Sequence, residues 1–189
     1  METKRNPSID VNVEEFTENV AVVIPDLAEM NNYERKSNAR KQLVDMGKQI
    51  LPQLNKLLTS KNPRLRREAT KIIELIGAAE SIPTFIELLD DDEGSIRWIA
   101  AEGLVHIGRE SIVPLLNRIV EKGDDNYLKQ GARHAFLKLF SEEEKRDFAS
   151  LLISLKNFNN ITILAPVEAF RALITFKHYN FNLATSYVH

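Results

Sequence analysis

The stretch "SIRWIAAEGLVHIG", residues 95–108, carries apolar and small residues at helical spacing and stops on a glycine. Residues 64–77, "RLRREATKIIELIG", show the same skeleton thirty-one residues earlier. One helix written twice at a fixed period marks an array of stacked units. The copies part at one position: Trp98, the single tryptophan, stands where the earlier copy has Arg67.

The period extends in both directions. Gly47, Gly77 and Gly108 are 30 and 31 residues apart, and Pro52, Pro83 and Pro114 are 31 and 31 apart. Each proline is followed at +5 and +6 by an apolar pair: Leu57 and Leu58, Leu88 and Leu89, Ile119 and Val120. A column of alanines, Ala39, Ala69, Ala100 and Ala132, precedes the closing positions. Four residues after each alanine stand Leu43, Ile73, Leu104 and Phe136; seven after stand Met46, Ile76, Ile107 and Leu139. In the fourth copy Phe140 replaces the expected glycine.

This punctuation has a physical meaning. A glycine just past a helical pattern supplies a left-handed cap. A proline shortly afterwards fits the first turn of a new helix, where its missing N–H costs little. Each unit is thus helix, short turn, helix, with alanine allowing close approach. One such pair cannot bury its own apolar face, so copies must stack.

The pattern resembles the HEAT repeats, in the short form called HEAT-like or PBS-lyase repeats. "IPTFIELLDDDEGSIRWIAAEGLVHIG" at 82–108 follows that unit of proline, Leu-Leu, acidic turn, hydrophobe-Arg, small residue, leucine and glycine. Residues 51–77 depart by Thr59 in place of an acid, residues 113–140 by Lys129 for the arginine, and residues 24–47 by a shorter linker. The resemblance, over about residues 20–140, implies an all-α fold: a right-handed α-solenoid of four to five helical pairs. Repeats are expected at about 20–47, 48–77, 78–108 and 109–140, within a single domain spanning 13–178. Residues 1–12 are expected to be disordered and 13–19 to begin or extend a capping helix. Ser141 and Glu144 read as a capping box. "SEEEKRDFASLLISL" and "APVEAFRALITFKHY" read as helices of a degenerate closing pair over 141–178; the tail 179–189 shows no helical period.

Composition excludes several chemistries. There is no cysteine, hence no disulfide, thiolate zinc site or cysteine nucleophile. No apolar run approaches the 18 or so residues of a membrane span, and the first residues lack a secretory apolar region; a cytoplasmic setting is the expectation. GxSxG, P-loop and dinucleotide fingerprints are missing. So are the repeated His-Glu dipeptides of HEAT-type iron hydroxylases. Glu102, His106 and His134 form the one ligand-like group, but His106 falls in a mixed boundary column with Asp45, Leu75 and Lys138. No metal or other cofactor is assigned, and no catalytic residue.

Charge is unevenly placed. Residues 33–77 hold eleven bases and four acids; residues 78–112 hold eight acids and two bases. Solvated helix faces that happen to cluster would produce such blocks, and so would a dipolar surface that steers a charged partner.

In stacks of this kind the second helix of each pair lines the concave face, which commonly binds. Here those helices are expected at about 33–46, 64–76, 95–107 and 126–139. Three columns are expected to face the groove or its rim: Ser37, Arg67, Trp98, Gln130; Arg40, Thr70, Ala101, Arg133; and Lys41, Lys71, Glu102, His134. Trp98 should be partly exposed, its ring over stems such as that of Arg67. The candidate partner-binding residues are Arg40, Lys41, Arg67, Lys71, Trp98, Glu102, Arg133 and His134. The expected work is non-catalytic: holding a partner macromolecule, protein before nucleic acid, with no membrane and with the oligomeric state open. The alternatives are a nucleic-acid binder or HEAT-like DNA glycosylase using the basic 33–77 block, and an enzyme subunit or maturation factor of the bilin-lyase kind.

Overall fold

A computed structural model describes residues 18–28, 32–156 and 164–186, with the side chains of the last helix described as far as 176. The expectations for residues 1–12, and most of 13–19, lie outside the described residues. No strand occurs among the described residues. The helices are α1 (Glu18–Ala21), α2 (Ile24–Ala28), α3 (Tyr33–Asp45), α4 (Leu51–Leu57), α5 (Pro63–Ile76), α6 (Ile82–Leu88), α7 (Gly94–Ile107), α8 (Ile112–Lys122), α9 (Asn126–Leu139), α10 (Glu142–Asp147), α11 (Ala149–Ser154) and α12 (Leu164–Ser186).

The punctuation works as its chemistry requires. Gly47, Gly77 and Gly108 have φ of 69°, 63° and 94°, a region costly to any residue with a Cβ. A short 3₁₀ turn follows each: Gly47–Ile50, Ala79–Ser81 and Arg109–Ser111. Pro52 and Pro83 then sit in the first turn of α4 and α6. The α3, α5 and α9 helices start on side-chain caps. Asn32 accepts from the Arg35 N–H (2.9 Å), Asn62 from Arg64 (3.0 Å) and Asp125 from Leu128 (2.8 Å), each satisfying an N–H that has no partner within the helix. The Ser141–Glu144 capping box of α10 forms in both directions.

The long helices α3, α5, α7 and α9 pack side by side in chain order, while α4 lies on α5, α6 on α7 and α8, and α8 on α9. The expected core columns are buried: Ala39, Ala69, Ala100 and Ala132 at 2% exposure or less, and Leu43, Ile73, Leu104 and Phe136 at 0%. Met46, Ile76, Ile107 and Leu139 pack half-buried against them.

The C-terminal end breaks the rule. Phe140 leaves α9 in extended conformation (φ −76°, ψ 137°), where a left-handed glycine closed the earlier copies. Its ring stacks on Phe136 at 4.8 Å and meets Phe148 at 5.2 Å and Phe176 at 6.4 Å. This cluster draws the last helices over the end of the array, with α12 along α8 and α11 against α9. The helix α12 runs to Ser186, through the stretch from 179 onward that shows no helical period in sequence. After Pro166 in its first turn, it holds no glycine or proline to stop it.

Candidate functional site

The exposed side of the long-helix layer is built from residues that the core columns leave over. On α7, Ile96 and Ala100 are buried, four apart on one face. Trp98 is about 200° round from Ile96 and is accordingly 57% exposed. Its ring centroid lies 4.5 Å from that of His134 on α9, tilted by 54°. The indole therefore meets the following helix, one step on from the Arg67 stem that the repeat column suggested.

A cleft of about 200 Å³ opens here between α7 and α9, lined by Gly94, Arg97, Trp98, Ala101, Tyr127, Gln130, Gly131 and His134. Its aromatic walls are exposed, Tyr127 at 46%. Gly94, Ala101 and Gly131 open space among the larger side chains, and at Gly131 the approach is close: a Cβ would stand 2.5 Å from Leu89 Cδ2. The Arg97 guanidinium lies 3.8 Å from the centre of the Tyr127 ring. It is held there by hydrogen bonds to the Asp91 and Asp92 carbonyls (2.6 and 3.0 Å).

At the other end of the cleft, His134 Nε2 and Glu102 Oε1 are 2.6 Å apart, and Lys138 Nζ donates to the same carboxylate at 2.9 Å. The Lys138 hydrogen bond, helped by His134 against burial, holds the Glu102 carboxyl below the usual range. His106 turns the other way, its ring 3.4 Å from where a Gly77 Cβ would stand and 3.8 Å from Glu74 on α5. The ligand-like trio is thus divided. Among the described residues no group of three His, Asp or Glu gathers to hold a metal.

The second column is corrected in part: Thr70 and Ala101 are buried at 0% and 2%, where small residues let neighbouring long helices approach, while Ala101 still borders the cleft and Arg40 and Arg133 are half-buried. The Thr70 hydroxyl donates to the Arg66 carbonyl at 2.7 Å. Arg40 reaches Glu68 on α5 through Nε at 3.1 Å, and Arg133 Nε is buried.

The basic half is likewise not a bare cationic surface. Glu68, 3% exposed, draws in Arg40, Lys36 (3.9 Å) and Arg67 (3.7 Å). Lys71 pairs with Glu74 at 2.6 Å, while Lys41 is exposed. Across the boundary of the two charge blocks, Arg66 donates to Asp91 through Nε and a terminal nitrogen (3.0 and 3.1 Å) and also meets Asp92. Lys48 pairs with Glu80 at 2.7 Å. The blocks compensate one another because units one period apart are neighbours in space.

Sequence columns set Glu102 and His134 on facing positions, where they meet at 2.6 Å, but did not place the Trp98 ring on His134. They missed Tyr127 and Arg97. Tyr127 was legible in principle, standing three residues before Gln130 and so on the same face of the next helix.

Stacked helical pairs with an exposed aromatic cleft on the long-helix layer define a helical-repeat protein. The chain belongs to the HEAT-repeat family: a family model for HEAT repeats matches residues 26–136. No curated protein and no solved structure matches. No helix among the described residues is long and apolar enough to cross a membrane.

Proposed function

We propose that this chain is a non-catalytic binding scaffold in the cytoplasm. Its helical pairs, four to five in a right-handed superhelix, present the long-helix layer as a concave face that holds a partner protein. The observation that carries this reading is the pair of exposed aromatics, Trp98 and Tyr127, walling a cleft between α7 and α9. HEAT repeats commonly serve as protein-interaction scaffolds, and a few aromatic or arginine anchors usually dominate such interfaces. Glu102 and His134 border the cleft; Arg67, Lys71 and Lys41 extend the same face towards α3.

Capture from native lysate on the full chain tests the reading. Trp98→Ala should reduce recovery of a specific partner by about tenfold or more; undiminished recovery would remove the anchor. The nucleic-acid alternative is weakened by the carboxylates already facing Arg40, Arg67 and Lys71. It makes its own demand, namely DNA binding at low salt with a steep salt slope.

A further inference from the structure

The cleft is open at one end onto two inter-helix turns. Gly94, which lines it, follows the acidic turn at 90–93, and Tyr127 lies two residues after Asp125 in the turn at 123–125. Both turns run into the same cleft mouth, and the neighbouring Asp125 carboxyl, with burial, lifts Asp90 above the usual range. Six carboxylates gather there: Asp90, Asp91, Asp92, Glu93, Asp124 and Asp125. Arg66 is bonded to these carboxylates, at Asp91 and Asp92; Arg97 binds the Asp91 and Asp92 backbone carbonyls, and Arg118 and Lys122 act on Asp90 through their charge. The ridge keeps an excess of negative charge.

We propose, resting on the scaffold reading, that this cleft takes a neutral aromatic side chain of a basic peptide segment, with the neighbouring lysine or arginine of that segment on the Asp90–Asp125 ridge. Each half has its reason. The face of Tyr127 already carries the Arg97 guanidinium, so a second cation in the cleft would be repelled, while a neutral ring gains stacking and apolar contact with Trp98. On the ridge, neighbouring carboxylates crowd like charge, and a cation brought among them relieves that repulsion. A nucleic acid would bring phosphates to the same carboxylates and gain nothing there. Charge complementarity of this kind selects partners and register more than it adds affinity.

Trp98 is the chain's single tryptophan, so its emission in the full chain reports on the cleft. The probes are a capped lysine-lysine-phenylalanine-lysine-lysine peptide, its counterpart with alanine for phenylalanine, its counterpart with glutamate for lysine, and oligothymidylate. The phenylalanine-lysine peptide should change the emission saturably. The alanine peptide should bind about tenfold more weakly, as loss of an anchor predicts. The glutamate peptide and oligothymidylate should not saturate. The Asp90→Asn, Asp125→Asn double variant should weaken the basic peptide about fivefold and flatten its salt dependence; asparagine keeps the cap of α9, and circular dichroism checks the fold. The proposal is overturned if the basic peptide fails to saturate, if the acidic peptide or oligothymidylate binds as well, or if the double variant matches wild type in affinity and salt slope. Failure here with a Trp98-dependent partner in the capture experiment would leave the scaffold standing and remove only the basic peptide.

Discussion

Gly103 faces Phe85 so closely that a Cβ there would stand 2.5–2.7 Å from three atoms of the ring. Phe85 is fully buried and has nowhere to swing. Gly103→Ala should therefore destabilise by about 1–3 kcal/mol through overpacking, against the modest gain that alanine brings to an exposed helix. Its neighbour Leu104, also at 0% exposure, should lose about 2–5 kcal/mol on substitution by alanine. Denaturant melts measure both; a loss under about 0.5 kcal/mol at Leu104 would contradict full burial. Trp98 carries the residue-scale test of the site. At 57% exposure its emission should be red-shifted relative to a buried indole and open to a neutral quencher such as acrylamide. Blue, unquenchable emission from the folded chain would place the indole in the core. Repeat columns made the exposure of Trp98 legible. Its neighbour was not legible, because a column specifies a face of one helix while the ring's direction depends on the facing helix.

Phe140 shows at element scale why a consensus residue is not always the stabilising one. Glycine closes the earlier copies because their chains must turn left-handed into a 3₁₀ step. At 140 the chain leaves extended, and the ring is 3% exposed among Phe136, Phe148 and Phe176. Restoring the repeat pattern with Phe140→Gly should therefore destabilise, by about 3–5 kcal/mol as for other large-to-small core changes. At Gly47, where nothing lies within 4 Å of an added Cβ, alanine should cost about 1–2 kcal/mol from the left-handed backbone alone, and asparagine less. Equal stability of Gly47→Ala and wild type in thermal melts would show that the turn relaxes.

For the whole molecule, charges that look like blocks along the chain become links between units. Glu144 on α10 accepts two hydrogen bonds from Arg109 (2.6 and 3.0 Å), tying the end of the array to the turn before α8. The Arg109 hydrogen bonds, against some burial, hold the Glu144 carboxyl below its ordinary value. A carboxyl lowered in the folded state adds stability at pH values above its unfolded pKa of about 4.3 and loses it as pH falls through the folded value. Glu102 acts in the same sense between α7 and α9. Glu144→Gln should lower the melting temperature at neutral pH and shrink the acid-induced loss below about pH 4.3; an unchanged acid limb would show that the pair contributes no linkage.

The sequence by itself determined the all-helical repeat, its period, the helix boundaries of α5, α7 and α9 to within a residue, and the buried columns. Those features follow from local rules: a glycine that must turn left-handed, a proline that must start a helix, and a 3.6-residue turn that sorts apolar from polar positions. Only the tertiary structure decided what the leftover positions do. Glu68, remote in sequence from Lys36 and Arg40, gathers both, and Asp91 meets Arg66 across a unit boundary. Tyr127 and Arg97 complete the cleft around Trp98. Each of these contacts joins residues about one period apart, so it exists only after the units have stacked. Stacking geometry is set by the summed packing of side chains on facing helices, which no single helix pattern contains.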